Sequence, residues 1–203
     1  EARLMEELYG KARTDEERVL AWNGLQASLL TVPPRFQPLA PKVLPSDGEG
    51  PQQSMQYAKG QFFLEHLERQ FGRERFDPFL ASYFETFAWQ SITTEAFLDY
   101  LDENLLSRYP GIYNREQAAE WLYEPGVPDD FLPPESSTLQ AAAAAALAYG
   151  AGDLALAELN IAPWSPQATV NFIEQLPAEL SAQQLRELDA YFGFSGSKNV
   201  EIA

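Results

Sequence analysis

The chain has 203 residues, with 30 acidic against 14 basic side chains, a formal net charge of -16 and no cysteine. This length can bury a sizeable core, and a hydrophobic content of 45% is typical of a folded protein. So acidic a surface repels nucleic-acid phosphates and anionic lipids, so we expect neither nucleic-acid nor membrane partners. The absence of cysteine excludes disulfides, thiolate nucleophiles and cysteine-ligated metals.

The two ends of the sequence look like cuts through helices. Residues 1–9 already have helical spacing, with Leu4, Met5 and Leu8 on one face, yet no capping residue precedes them. Residues 199–203 look like a capped helix just beginning. We therefore expect a piece of a longer protein. The longest apolar run, residues 141–148, is too short to span a bilayer, and a cytoplasmic location is the default expectation.

The first third of the chain predicts two helices and a long loop. Gly10 ends the opening helix, and Thr14 with Glu17 has the spacing of a capping box that starts a second helix reaching about Leu30. Residues 33–51 hold six prolines and two glycines, which predict a long irregular segment.

The middle of the chain predicts four helices. The first covers residues 54–71 and ends at Gly72. Asp77 and Pro78 have the pattern of a cap and first helical residue, and predict a helix reaching about residue 89. Thr93 or Thr94 caps the next. Asn114 with Gln117 has the spacing of a capping box that starts the fourth helix. On the first of these helices the predicted inward-facing residues are Gly60, Phe63, Leu64, Leu67 and Phe71.

Four prolines within residues 124–136 mark a linker, after which the pattern is again helical. We expect helices over residues 139–149, after Ser165, and between Ser181 and Gly193. No segment alternates like a strand. The sequence therefore predicts an all-α fold, with stacked helix pairs in its second part.

Most residue types that carry chemistry are missing or isolated. His66 is the single histidine, and with no second one to pair with it predicts a structural role, on the surface or partly buried, rather than a zinc ligand. No serine stands in a nucleophile elbow and no phosphate-binding loop is present. Acidic groups on shared helical faces, such as Glu65 with Glu68, are expected to be solvated. Asp99, Asp102 and Glu103 are likewise expected to be solvated. The tryptophans at 22, 89, 121 and 164 are instead expected in the core.

Tyr57 is the sharpest candidate for a catalytic group. It follows the proline-rich loop at the start of a helix, and Ala58 and Gly60 beside it would let a substrate or another backbone approach closely. A protonated phenol can donate a hydrogen bond to a developing oxyanion. Lys59 is either a solvated charge or a partner for an acidic group, and the sequence leaves both open.

The series of motifs resembles zinc aminopeptidases of the leukotriene A-4 hydrolase type, the gluzincins. The motifs are Tyr-x-Lys-Gly at 57–60, Phe-Asp-Pro-Phe-Leu at 76–80, Gln-Ser-Ile-Thr-Thr at 90–94 and Trp-Leu-Tyr-Glu-Pro-Gly at 121–126. The resemblance implies that residues 1–125 are the helical second half of the catalytic domain. Residues 126–136 would then be the linker and residues 137–203 the start of an armadillo-like C-terminal domain.

The resemblance also implies site residues. Tyr57 holds the position of the tyrosine that faces zinc across the cleft and stabilises the tetrahedral intermediate. Gln52 stands where the epoxide hydrolase member of the family has a second tyrosine, and Glu49 loosely matches an acidic loop residue of that member. Glu49 and Gln52 are thus predicted substrate-binding residues. These departures favour aminopeptidase activity over hydrolysis of lipid epoxides.

The functional prediction is a fragment of a zinc-dependent aminopeptidase that removes N-terminal residues from peptides. Its zinc would belong to the full-length protein, with no ligand in this chain, so the chain alone is expected to be inactive. Its partners would be the peptide substrate and the remaining domains of the same polypeptide. The alternatives are a non-catalytic helical interaction module, and a parent protein that hydrolyses lipid epoxides.

Overall fold

A computed structural model describes residues 2–42, 44, 52–162 and 164–196, without the side chains of residues 2 and 52–54. Over these ranges it is helical with no strand, which confirms the predicted all-α fold. The α-helices are α1 Ala2–Tyr9, α2 Lys11–Thr31, α3 Gln52–Phe71, α4 Arg73–Thr86, α5 Thr94–Leu101, α6 Arg115–Tyr123, α7 Ser137–Ala151, α8 Pro166–Glu174 and α9 Ala182–Phe192. A π-helical turn, Asp102–Leu106, continues α5.

Several helix ends lie where the sequence predicted them. The side chains of Thr93, Asn114, Ser165 and Ser181 each accept a hydrogen bond from a backbone N–H of the first turn. Asn114 and Ser181 form complete capping boxes with a glutamine three residues later. These ends are predictable because the cap is a local side-chain-to-backbone interaction.

Two other predicted caps are wrong. Thr14 lies inside α2, and its hydroxyl donates to the carbonyl of Gly10, a left-handed residue with φ +84 that separates α1 from α2. Pro78 lies inside α4, which begins directly after Gly72. The buried rings of Phe76 and Phe79 hold this part of α4 in the core, so packing outweighs the hydrogen bond that proline cannot donate.

The chain forms two compact units, residues 21–133 and residues 1–20 with 134–203. The division after residue 133 falls within the predicted linker, 126–136, while residues 1–20 group with the C-terminal part. The predicted bounds of the two family domains, 1–125 and 137–203, stay a prediction.

The unit of residues 21–133 is built around α3. Phe62, Phe63 and Leu67 on α3 are fully or almost fully buried, and Phe63 stacks on Trp121 of α6 with ring centroids 5.5 Å apart. Trp22 contacts Phe62 edge-on at 5.4 Å. This aromatic core fixes the position of α3, the helix that carries Tyr57.

The other unit is built on α7 and α8, which pack closely because the contact positions are small. Ala142, Ala146 and Ala168 are completely buried there together with Phe172. The hydroxyl of Tyr149 on α7 donates to a backbone carbonyl at the start of α9, 3.0 Å away. Neighbouring helices therefore pack directly against one another, as predicted for residues 137–203.

Three of the four tryptophans, Trp22, Trp121 and Trp164, belong to the aromatic clusters, as predicted. The prediction for Trp89 is wrong. Helix α4 ends at Thr86, and Trp89 lies in the following turn with φ 62 and a completely exposed side chain. Among the helices that the structure describes, none has the length and apolar character needed to cross a bilayer.

Candidate functional site

Tyr57 lies near the start of α3, where its side chain is 82% exposed. It is the sixth residue of the helix, so its backbone is fixed while its ring projects from the surface. An exposed phenol on a rigid helix is available to a ligand, whereas a phenol packed among aliphatic side chains would not be. The placement fits the predicted role of a hydrogen-bond donor to substrate.

The opposite face of α3 is buried and includes polar residues. Met55, Lys59, Phe62 and His66 recur at intervals of three or four residues, and each is at most 2% exposed. The predicted stripe is therefore partly wrong: Leu64 is 38% exposed, and the real stripe includes a lysine and a histidine. Periodicity alone missed it, since both residues count as polar.

Lys59 is completely buried and bonds to backbone carbonyls. Its Nζ donates to the carbonyl oxygen of Glu124 at 2.8 Å and to that of Gln37 at 3.4 Å. Burial lowers the pKa of Lys59 from its ordinary 10.5 to about 8, and the nearby charge of Glu124 opposes the shift. Lys59 is thus not a solvated charge. Its hydrogen-bond acceptors are main-chain oxygens, with an acidic residue close by.

Gln37 completes this buried polar arrangement. Its Nε2 donates to the carbonyls of Leu29 and Val32, at 3.0 and 2.8 Å, and its Oε1 accepts from the N–H of Gly126 at 3.0 Å. We call the side chains of Lys59 and Gln37 with these backbone partners the clasp. The clasp connects the end of α2, helix α3 and the turn after α6. No pattern in the sequence indicates the clasp, because Gln37 lies in the irregular proline-rich segment.

Gly60 is less constrained than its place in the motif suggests. A Cβ built on Gly60 would come within 3.7 Å of Leu39 Cδ2, which is an ordinary van der Waals contact. Among the residues described, no backbone approaches Gly60 closely enough to require glycine. A substrate contact at this residue stays a prediction.

His66 is a core residue, more deeply buried than predicted. Its ring lies among the rings of Tyr113, Trp121 and Phe131, with centroid distances of 5.1 to 6.0 Å. Its Nε2 is 3.7 Å from a carboxylate oxygen of Asp130, too far for a hydrogen bond. Burial lowers the pKa of His66, an effect that Asp130 opposes. The neutral, packed form is consistent with the predicted structural role.

Three of the acidic residues singled out in the sequence, Glu68, Asp99 and Asp102, make ion pairs at the surface. Arg115 bonds to Asp99 at 2.6 Å and lies 3.5 Å from Asp102, and Arg73 bonds to Glu68 at 2.9 Å. Within residues 2–42, 44, 52–162 and 164–196, no three His, Asp or Glu side chains come together as a metal site would require. The described residues therefore do not fit a zinc centre by themselves.

The two predicted substrate-binding residues are not placed. Glu49 lies outside the described residues, and Gln52 contributes only its backbone, as the first residue of α3. Both assignments stay predictions.

Comparison with known proteins finds similarity to leucine aminopeptidases. A leucine aminopeptidase 2-1 of Meyerozyma guilliermondii is 31% identical over 134 residues, which cover 63% of this chain and 21% of that protein. A second leucine aminopeptidase 2-1, from Scheffersomyces stipitis, is 26% identical and matches this whole chain with 34% of its own length. The chain thus spans about a third or less of the relatives' length.

Solved structures show the same fold. Yeast LTA4 hydrolase in complex with bestatin superposes with a TM-score of 0.78 at 23% identity, over 99% of this chain and 36% of that one. The native enzyme of Saccharomyces cerevisiae gives a TM-score of 0.74, also at 23% identity. The sequence also matches the domain of peptidase family M1 over residues 3–115. Because this match covers more than half of the chain and includes Tyr57, Lys59 and Gln37, the chain belongs to peptidase family M1.

Proposed function

We propose that the whole protein is a zinc-dependent aminopeptidase and that Tyr57 is its oxyanion-stabilising hydrogen-bond donor. The observation that carries the proposal is the 82% exposure of the Tyr57 side chain on a helix fixed by an aromatic core. Membership of peptidase family M1 and the names of the relatives, leucine aminopeptidases, support the reaction class.

The chemistry assigned to this chain is donation of one hydrogen bond. When the carbonyl of the scissile bond is attacked, its oxygen gains negative charge, and a phenol O–H placed beside it stabilises that charge. The donor interacts more strongly with the oxyanion than with the neutral carbonyl. Tyr57 therefore acts mainly on kcat and has a small effect on KM.

The metal is assigned to other residues. Because the described residues bring no three suitable side chains together, we propose that the zinc ligands are supplied by the remaining parts of the polypeptide. Those parts and the peptide substrate are the expected partners of this chain. The chain alone is accordingly expected to be inactive.

The test uses the protein from its complete open reading frame, loaded with zinc. Hydrolysis of a panel of aminoacyl-4-nitroanilides is compared between the wild type, Tyr57→Phe and Tyr9→Phe. Tyr57→Phe should lower kcat about 100-fold or more, as is typical when one oxyanion donor is removed. Tyr9, another exposed tyrosine, is the control for loss of a surface phenol, and its variant should keep the wild-type rate.

Two outcomes would count against the proposal. An unchanged kcat in Tyr57→Phe would remove Tyr57 from the mechanism while leaving the reaction class intact. No hydrolysis of any substrate by the zinc-loaded wild type would favour the alternative of a helical interaction module.

A second activity to consider for the whole protein is the hydrolysis of lipid epoxides. Gln52, in the position of the second tyrosine of the epoxide hydrolase, leads us to expect no such activity. Incubation of the same zinc-loaded protein with a lipid epoxide, followed by chromatography of the diol, would test this expectation. The cytoplasmic location likewise stays a prediction, which imaging of the tagged whole protein can test.

A further inference from the structure

The geometry points to a second function-bearing residue: Lys59 sets the direction of Tyr57 through the clasp and is a positioning residue for catalysis. The inference rests on the proposed function, because it concerns the same tyrosine. Lys59 itself is completely buried, so its side chain is not exposed to a substrate. Its effect on the reaction is exerted through the rotation of α3.

The two residues are linked by helix geometry. They are two positions apart, and each residue of an α-helix turns the chain by about 100°, so their side chains leave α3 about 200° apart. When Lys59 points into the core, Tyr57 must therefore point outward. The observed exposures, 0% for Lys59 and 82% for Tyr57, are those of opposite faces.

A lysine fixes this rotation more tightly than an apolar residue would. Apolar packing is non-directional and tolerates a small rotation of a helix, whereas a hydrogen bond weakens when its length or angle changes. The Lys59 ammonium reaches two carbonyls, of Glu124 and Gln37, that belong to segments distant in sequence. Rotation of α3 would break these bonds and leave a buried charge without acceptors, which is strongly disfavoured.

The rest of the clasp holds those acceptors in place. Gln37 bonds to the carbonyls of Leu29 and Val32 and to the N–H of Gly126, so its own backbone is fixed relative to α2 and to the turn after α6. The N–H of Ala40 also donates to the carbonyl of Leu122, at 2.8 Å. The carbonyls that accept from Lys59 are therefore held by hydrogen bonds between segments other than α3.

The test compares Lys59→Met with Leu67→Ala in the zinc-loaded whole protein. Methionine has nearly the length of lysine but lacks the ammonium, so the clasp is lost while the volume is kept. Leu67 is completely buried on the same helix, and its truncation weakens packing without touching the clasp. Lys59→Met should lower kcat about tenfold to 100-fold with KM within about threefold. Leu67→Ala should lower thermal stability but keep kcat within about twofold.

A double-mutant cycle shows whether Lys59 acts through Tyr57. If it does, Lys59→Met changes kcat by less than about twofold once Tyr57→Phe is present, because the misplaced hydroxyl is already gone. Equal losses in both backgrounds, or a folded Lys59→Met variant with wild-type kcat, would overturn the inference. If Lys59→Met does not fold, Gln37→Met takes its place in the cycle with the same criteria.

The same cycle distinguishes the positioning role of Lys59 from the catalytic role of Tyr57. Tyr57→Phe alone tests the catalytic role of Tyr57. The coupling between the two substitutions tests the positioning role of Lys59. A large effect of Tyr57→Phe without coupling would leave the proposed function intact and remove Lys59 from it.

Discussion

The free energy of unfolding should change with pH in the alkaline range, because the pKa of Lys59 is lower in the folded protein than in the unfolded chain. A fall in pKa from 10.5 to about 8 corresponds to about 3 kcal/mol, at about 1.4 kcal/mol for each pH unit. Screening by solvent makes this figure an upper bound for a group at the edge of a core. The protonated side chain therefore costs the folded state up to about 3 kcal/mol relative to the neutral amine.

The direction follows from proton binding. Between about pH 8 and pH 10.5 the unfolded chain carries a proton on Lys59 that the folded protein lacks, so raising the pH favours the folded state. Below pH 8 both states are protonated and the cost is constant. The free energy of unfolding of the wild type, measured relative to Lys59→Met, should therefore rise by about 2–3 kcal/mol between pH 7 and pH 10.

Two measurements check this prediction in the whole protein. With ¹³C-labelled lysine, the Cε resonance that is absent from Lys59→Met should titrate with a midpoint near pH 8. Urea unfolding of both proteins at pH 7 and pH 10 gives the change in their stability difference, with other titrating groups cancelling between them. A Lys59 midpoint above pH 10, or a stability difference independent of pH, would refute the burial argument.

Further predictions concern the two cores. Because burial lowers the pKa of His66, the folded state takes up a proton there less readily than the unfolded chain, so stability should fall as the pH drops below 6.5. His66→Phe should reduce this acid sensitivity, measured as the change in Tm between pH 7.5 and 5.5, and an unchanged difference would contradict the burial of His66. Gly150→Ala would place Cβ 2.4 Å from Pro177 Cγ and should cost about 1–3 kcal/mol in urea unfolding. Gly24→Ala, in open space within α2, should instead stabilise the protein by up to about 1 kcal/mol, and equal effects at both glycines would contradict the packing argument.

The sequence predicted the helix ends that depend on neighbours in the chain. Asn114 with Gln117 and Ser181 with Gln184 bond within one turn, so their pattern is visible without knowing the fold. Pro78 misled the prediction because its tolerance inside α4 depends on rings packed by other helices. Local sequence patterns therefore predicted helix ends correctly where the cap is a local interaction, and failed where tertiary contacts determine where the helix begins.

The residues of the candidate site also differ in whether the local sequence indicates them. Tyr57 was singled out as a candidate because its motif is short and its helix follows a proline-rich segment. The clasp was missed because its partners, Gln37 and Glu124, lie 22 and 65 residues from Lys59. Nothing in the local sequence shows that a lysine at this place is buried, since lysine is among the residues least often found inside.

The spacing within Tyr-x-Lys-Gly explains why one short motif joins a surface residue to a core residue. Had Tyr57 and Lys59 been three or four positions apart, both would lie on one face of α3, and a buried lysine would bury the tyrosine. Because they are two positions apart, fixing the lysine inward fixes the tyrosine outward. Gly60, the next residue, adds no side chain between α3 and Leu39. Under the proposed function the motif therefore specifies an orientation as well as a hydrogen-bond donor, and orientation is what an oxyanion donor requires.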